Sequence, residues 1–495
     1  MVALRFRCLS RVVRGILLGC FLLAPFAGPA QSQAFARPVL AEPPSSAEGK
    51  DDKPAPAEPF RLHSALHAPD WLLLSGSQRT RYEGLLHQFR PGLDRSDQAI
   101  LLRTLLTLGA RFRALSLVGE LQDARAYLTD EQSGISTIVV NALEPLQAYV
   151  GFHRDEVFGW EGALDLRVGR QSMDVGSRRL IARNRFRNTI QSYTGVTSRF
   201  RSPGGTELFA FAVLPVSIEP ENGDRAALLE NRIQLDRERL GLSLWGALFA
   251  RPLRQDIALE AYFFGLHERD GTGYPTRNRR LYTQGLRLVR GVGEGVWDVD
   301  IESVLQLGTR RSSTDPADVQ DRRVLANFQH AALGYTFDVA WSPRLSAELD
   351  YASGDAGSTH GRNERFDSLF GPRRADFGPT NLYGPLGREN IISAGLRLGV
   401  EPDPRLDGYV SFRANWLASR TDTFARTGVR DPAGQSGRFA GHQIELRTRL
   451  WLLMDTLRWE LGGAALIVGP FLRTAPNATH NGHPLFAYTD LEWVF

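Results

Sequence analysis

The sequence predicts an all-β protein, a transmembrane antiparallel β-barrel of about 18 strands with short periplasmic turns and long extracellular loops. Three observations predict it. Runs of alternating apolar and polar residues recur from Trp71 to the end of the chain, as expected of strands with one face in lipid and the other in a lumen. The connections between runs alternate in length. Arg111–Ala114, Arg201–Gly205, Arg251–Gln255, Gly291–Gly295, Val339–Arg344 and Glu401–Arg405 are turns of four to six residues. Gly84–Gln98, Tyr127–Pro145, Ser172–Thr189, Ser217–Arg239, Thr309–Gln329, Gly354–Asn390, Arg420–Ala440 and Gly469–Pro484 are long. A soluble sandwich has no reason to sort its connections by side, whereas an outer-membrane barrel does. Finally, Leu491-Glu492-Trp493-Val494-Phe495 sets apolar groups at alternate positions and ends on an aromatic, an ending that resembles the insertion signal of outer-membrane proteins.

From the N-terminus, residues 1–36 read as a signal peptide. Arg5, Arg7, Arg11 and Arg14 form a basic start, and Gly15–Ala27 is an apolar core too short to span a bilayer. Ala34-Phe35-Ala36 or Ser32-Gln33-Ala34 then offers the cleavage site. A lipoprotein reading at Leu17-Leu18-Gly19-Cys20 is weaker, because it keeps apolar Phe21-Leu22-Leu23 in the mature chain. Both cysteines, Cys8 and Cys20, lie in this leader, which excludes a disulfide framework and any cysteine-held metal from the mature protein. The leader carries four arginines and no acid, so the formal charge of +4 becomes 4 − 4 = 0 after cleavage. Residues 37–65 read as a disordered periplasmic segment, since Ala41–Pro59 is proline, alanine, serine and charge with nothing to bury. Lys50 and Lys53 are the only lysines, so 59 − 2 = 57 of the basic residues are arginine. A GC-rich genome explains such a bias, as does a use for arginine's flat, bidentate fork.

Residues 66–495 read as the barrel. The strands fall at 71–83, 100–110, 115–126, 146–153, 162–171, 190–200, 206–216, 240–250, 256–267, 280–290, 296–308, 330–338, 345–353, 391–400, 406–418, 441–452, 455–467 and 485–495. Eighteen is even, as single-chain bacterial barrels require, and lengths near ten fit a tilted crossing. Parity sets the faces. Leu164, Leu166 and Val168 point to lipid, with Asp165, Arg167 and Gln171 inward. Val299, Ile301 and Leu305 oppose Asp298, Asp300, Glu302 and Gln306 in the same way. Ile444, Leu446 and Leu450 oppose Glu445, Arg447 and Arg449, while Val410, Phe412 and Trp416 oppose Asp407, Arg413 and Asn415. Charges costing ~2–4 kcal/mol each on the lipid side thus take the other parity. Tyr82, Trp245, Tyr282, Trp459 and Trp493 suit the interfacial girdles. A barrel of this size leaves room for an aqueous lumen.

The inward set mixes arginines with acids, which fits a wall of cross-strand ion pairs better than an anion channel by count. One stretch departs from that balance. Val175–Thr206 holds Arg178, Arg179, Arg183, Arg185, Arg187, Arg199 and Arg201 and no acid. If its loop folds into the lumen it sets a positive field at the narrowest point. If it does not, it is a solvated loop meeting anionic lipopolysaccharide.

The segment Leu166–Val196 resembles the most recognisable stretch of the alginate export family of outer-membrane proteins. Gly119–Arg125, Asn141–Tyr149, Ala352–Asp355 and Phe366–Gly371 are similar to that family as well, and the likeness extends over roughly 75–495. It implies a monomeric eighteen-stranded channel with an arginine-lined constriction that passes a polyuronate outward. A chain bearing one carboxylate per sugar slides best along spaced guanidinium groups that each bind weakly. The expected anion track is Arg167, Arg170, Arg183, Arg185 and Arg187, with Arg103, Arg397 and Arg447 as secondary candidates. Arg170 has the lipid parity of its strand and qualifies only if the strand end bends it over the rim.

Little else points to chemistry. The ten histidines are scattered, and no Ser, His and acid cluster suggests an outer-membrane hydrolase, so no enzyme and no cofactor are expected. His442 beside Glu445 reads as a wall pair. The loop Gly354–Asn390 reads as an extracellular cap, its Asp355, Glu364 and Asp367 matching no calcium-loop spacing. No plug-sized domain precedes the first strand, which argues against an energy-coupled receptor. Expected partners are an anionic polysaccharide or other anionic solute, outer-membrane lipid and lipopolysaccharide, the barrel-assembly machinery and periplasmic polysaccharide-secretion proteins, with no nucleic acid. A general or small-anion porin and a surface adhesion barrel are the alternatives.

Overall fold

Period-two alternation becomes one closed antiparallel sheet. The computed structural model describes residues 60–495 except 158, 255, 272–273 and 358–360. The eighteen barrel strands are β1 (Leu72–Leu86), β2 (Ser96–Phe112), β3 (Leu115–Tyr127), β4 (Asn141–Val157), β5 (Trp160–Gln171), β6 (Tyr193–Arg201), β7 (Glu207–Ser217), β8 (Leu242–Pro252), β9 (Ile257–Glu268), β10 (Arg280–Arg290), β11 (Trp297–Arg310), β12 (Arg322–Thr336), β13 (Arg344–Ala352), β14 (Ile391–Asp403), β15 (Leu406–Trp416), β16 (Phe439–Leu453), β17 (Leu457–Val468) and β18 (Leu485–Val494). Each pairs with its sequence neighbours, and β1 closes on β18 in register from Ser77↔Val494 to Leu86↔Leu485. Gly76 N donates to Phe495 O at 2.7 Å and Phe495 N returns a bond to Gly76 O at 3.0 Å, so the terminal aromatic seals the seam. Closure leaves no unpaired edge in lipid.

Parity holds where it was read. Val168, Ile301, Val410, Phe412 and Ile444 are exposed on the outer wall, while Asp298, Glu302, Gln306, Arg413, Asn415 and Glu445 are buried inside. Trp245, Tyr282 and Trp493 are exposed outward as the girdle reading requires. Trp71 stacks on Phe112 at 5.7 Å and Trp297 meets Tyr335 at 5.1 Å, adding to the belt at the short-turn end.

Four expectations change. The signal peptide (1–36) and most of the segment 37–65 lie outside the described residues, but Leu62–Ala65 forms a short helix rather than unstructured chain. Its neighbour Arg61 donates to Asp455 O at 3.1 Å, which ties the segment to the turn between β16 and β17. β4 begins at Asn141, because register shifts at Glu120/Leu121 and Gln122/Ala124 absorb the Glu144-Pro145 step that reads as loop in sequence. β12 begins at Arg322, again inside a stretch read as linker. His442 and Glu445 sit on opposite faces: His442 stacks on Phe412 at 5.1 Å outside, and Glu445 accepts from Tyr409 Oη at 2.7 Å inside.

The long-loop half of the lumen is packed rather than open. Loops cover the apolar inward residues of the strands. Phe209, Phe211, Tyr262 and Phe264 pack with Val175, Leu180 and Ile181 of the 172–192 loop and Phe366 and Phe377 of the 353–390 loop. Leu85, Leu101, Phe486 and Tyr488 pack with Phe186, Leu382 and Tyr383 on the other side. The 353–390 loop therefore descends into the barrel and is not simply a cap.

Candidate functional site

The 172–192 loop crosses the lumen and is anchored at both ends. Its own fold comes first: Asp174 Oδ1 accepts from Arg183 N at 2.8 Å and from Arg178 Nε at 3.1 Å, while Val175 N donates to Ile181 O at 3.1 Å. These bonds close a compact turn with Arg178 at φ 66°. At one end Arg179 reaches the β11 wall, binding Glu302 at 2.8 Å and Asp300 at 3.0 Å, and Asp376 of the second loop at 3.2 Å. Burial opposes its charge, but Asp376, Asp300 and Glu302 outweigh burial and hold the Arg179 pKa well above the ordinary arginine value.

At the other end the loop offers main-chain carbonyls to wall arginines. Arg79 donates to Arg185 O at 2.8 Å and Arg187 O at 2.9 Å, Arg81 to Phe186 O at 2.8 Å, and Arg103 to both Arg185 O and Arg187 O at 3.1 Å. Asn188 Nδ2 completes the anchor with bonds to Leu102 O, Arg125 O and Val139 O of 3.0, 3.2 and 2.9 Å.

The 353–390 loop meets the first. Phe370 N donates to Leu180 O at 3.0 Å, and Arg388 donates to Arg179 O at 3.0 Å and pairs with Asp376. Its Arg374 pairs with Glu445 of β16 and donates to Tyr409 Oη at 2.9 Å, while Asn381 donates to Glu83 of β1 at 2.7 Å. Segments far apart in sequence, 119–125, 166–196 and 366–371, are thus brought together inside the barrel.

Of the expected track, Arg183 is held by Glu120 of β3 at 2.7 Å. The Arg185 guanidinium is half exposed and 3.9 Å from Asp174, and burial followed by repulsion from Arg178 lowers its pKa. Arg187 has no ion-pair partner among the described residues. Burial, then Arg426, pushes its pKa down to about 10. Arg103 lies on the wall beside these two, 3.3 Å from Glu492. Arg167 lies on the inward parity of β5, 5.2 Å from the Tyr149 ring. Arg397 is 3.6 Å from Glu348, and Arg447 pairs with Asp407 at 2.8 Å. Arg170 does not join them. It keeps the lipid parity of Val168, and Glu144 together with Glu238 at 2.7 Å holds it at the outer rim. The sequence reading passed over Arg79, although it shares the inward parity of Arg81 and Glu83. It also passed over Arg90, Arg373 and Arg426, which stand in long loops where periodicity says nothing.

Comparison with known proteins agrees with the barrel fold. No curated protein matches the sequence. Among solved structures, Pseudomonas aeruginosa OccK8 (OprE) is similar with a TM-score of 0.53 and 12% identity over 86% of this chain and 98% of that one. The P. aeruginosa outer membrane protein opdK gives a TM-score of 0.53 at 12% identity, covering 86% and 98%. Acinetobacter baumannii OccAB1 gives 0.50 at 11%, covering 90% and 100%. At such identities the likeness concerns fold alone, that of an outer-membrane porin barrel. The alginate export family model matches residues 70–486. Fold and family are those of transport channels rather than enzymes: the chain belongs to the alginate export family and is a bacterial outer-membrane channel.

Proposed function

We propose that this channel conducts an anionic polysaccharide of the alginate-like, polyuronate kind along guanidinium groups inside the barrel. The observation that carries the reading is the cross-lumen loop: among the described residues Arg187 has no acidic partner and the half-exposed Arg185 lies 3.9 Å from Asp174, while the backbone is clamped by Arg79 and Arg103. The clamp spends wall arginines on carbonyls and leaves loop arginines for the solute. Weak, spaced cations with acids interleaved, such as Glu120 and Asp174, favour both entry and release. Arg183 on the loop and Arg167, Arg397 and Arg447 on the wall continue the track.

The test is single-channel current of the refolded protein in a planar bilayer under a salt gradient, before and after oligomannuronate. Anion-selective current that the oligomer blocks supports the reading. Open current indifferent to the oligomer leaves a general or small-anion porin. The density of ion pairs fastening the loops favours that second reading, because a loop that stays fastened passes only small solutes.

A further inference from the structure

The outer wall changes character one row above its apolar belt. Across β5 to β8, Val168, Val196, Ala212 and Trp245 stand in one outward row. In the next row towards the extracellular end, Arg170 faces Thr194. The 218–241 loop covers these two polar residues. It starts inside, where Leu228 is fully buried in the cluster that holds Phe186 and Tyr383. Asn231 then exchanges bonds of 2.7 and 2.8 Å with the Ala126 backbone, taking the place of a ladder partner beyond the end of β4. From there the chain crosses the rim and meets the outside of the wall. Asp236 N donates to Glu144, the partner of Arg170, at 2.9 Å. Glu238 accepts from Arg170 at 2.7 Å and from Thr194 at 2.6 Å.

With its acids turned to the wall, this stretch shows apolar side chains to the exterior. Ile233, Leu235 and Leu240 are 52%, 61% and 84% exposed. They extend the lipid-facing surface directly beneath, where Leu121, Val168 and Val196 are exposed on β3, β5 and β6. Carboxylates inward and leucines outward is inverted for a loop in water, and correct for an amphipathic segment lying in a lipid interface. Charge agrees with that setting. Arg237 is 68% exposed and 3.5 Å from Glu219, Arg232 pairs only with its near neighbour Glu230, and the exposed Arg269 has no ion pair among the described residues. Where the loop rejoins β8, a cavity of about 240 Å³ is lined in part by Arg239, Leu240, Leu242, Arg269 and Tyr274, so apolar and cationic surfaces meet there.

We propose that residues 232–240, together with Arg269, form a docking face for lipopolysaccharide of the outer leaflet. Acyl chains lie against Ile233, Leu235 and Leu240, and head-group phosphates meet Arg232, Arg237 and Arg269. Guanidinium forks suit phosphate oxygens, which accept several charge-assisted bonds at once. The face lies outside the barrel and is independent of what the lumen conducts.

The experiment is spin labelling of Ile233→Cys, Leu235→Cys and Leu240→Cys in the full barrel, both native cysteines lying in the predicted leader. The protein is placed in phosphatidylcholine vesicles with or without lipopolysaccharide, and collisions of each label with oxygen and with a water-soluble nickel chelate are measured. Val168→Cys supplies the lipid reference, and Val319→Cys, an exposed apolar position in the loop after β11, the water reference. With lipopolysaccharide present, the three labels should prefer oxygen as Val168→Cys does. The lipopolysaccharide fraction giving half of that change should rise about five-fold for each of Arg232→Gln, Arg237→Gln and Arg269→Gln. These variants remove exposed cations only, so folded gel migration should be unchanged. Chelate access equal to that at Val319→Cys, or an oxygen preference no stronger with lipopolysaccharide than without, overturns the proposal. So does a half-change unmoved in all three arginine variants. Spin–spin broadening that dilution with unlabelled protein relieves would assign the face to a second copy and overturn it as well.

Discussion

Arg179→Ala should release one end of the cross-lumen loop. The guanidinium makes three contacts of 2.8, 3.0 and 3.2 Å to Glu302, Asp300 and Asp376, in a residue only 7% exposed. Three charge-assisted bonds at ~1.5–3 kcal/mol each give an upper bound of ~5–9 kcal/mol. The acids keep other partners, however. Glu302 still has Tyr262 Oη at 2.7 Å, Asp300 has Arg287 at 2.7 Å, and Asp376 has Arg388. The appropriate figure is therefore the ~3–5 kcal/mol for removing one partner of a buried pair. At ~1.4 kcal/mol per decade that is about two to three and a half decades in the docked-to-released ratio. The assay is thiol labelling. The only native cysteines are Cys8 and Cys20 in the predicted leader, so Ala182→Cys carries a unique thiol, and Ala182 is fully buried in the docked loop. Labelling by a charged maleimide should quicken by two decades or more when Arg179→Ala is added, with larger and noisier single-channel current. Anion preference should fall at the same time, since a cation has left. Labelling as slow as in the Arg179 parent, in protein that still shows folded gel migration, would refute the reasoning.

In reversal-potential measurements, Arg183→Ala should lower anion preference, because it leaves Glu120 without its cation. Adding Glu120→Gln should restore part of the loss, and unchanged selectivity in the triple alanine variant of Arg183, Arg185 and Arg187 would remove the loop from the transport argument. Gly371→Ala should loosen the contact between the two loops, since a methyl there collides with the Arg179 carbonyl, and the Ala182→Cys labelling rate should rise. Asp236, in the 218–241 loop, has its pKa pushed up to about 7 by burial and then by Glu144. A carboxyl whose folded pKa lies above its unfolded value favours the docked loop at low pH, and that contribution is lost as pH rises through about 7. Hydrogen exchange in residues 218–241, corrected for intrinsic rates, should therefore be faster at pH 8 than at pH 6, with the difference abolished in Asp236→Asn.

How much of this was legible depends on which force acts where. In the membrane, lipid imposes a period of two, so Val168, Ile301 and Phe412 declared their faces and all eighteen strands could be placed. Strand ends were less legible, because beyond the bilayer nothing penalises a polar outward residue, and β4 and β12 extend into stretches that look like loop. The arginine density of the 172–192 loop marked it as unusual, but not its destination. That is set by tertiary contacts: carbonyls at 185–187 facing Arg79 and Arg103, and Arg179 facing β11. Carbonyl acceptors are invisible in sequence, since every residue has one. For the same reason Arg90 and Arg373, whose hydrogen-bond acceptors among the described residues are carbonyls, could not be told from solvated loop residues.

The nearly lysine-free composition takes on a physical meaning here. A loop inside a barrel cannot complete a sheet ladder, so its carbonyls need donors from elsewhere. One guanidinium carries five donors in a fixed fork and can serve a carboxylate and a carbonyl at once, which a lysine ammonium does less well. Arg81 does so with Asp490 and Phe186 O, and Arg365 does so with Glu389, Asp422 and Ala425 O. Much of the arginine in this lumen is thus engaged in holding backbone in place, and counting it as positive lining overstates the field a solute meets. The cations that bear on selectivity are those left over once carboxylates and carbonyls are served. By that measure Arg187 and the half-exposed Arg185 weigh more than the wall arginines that outnumber them.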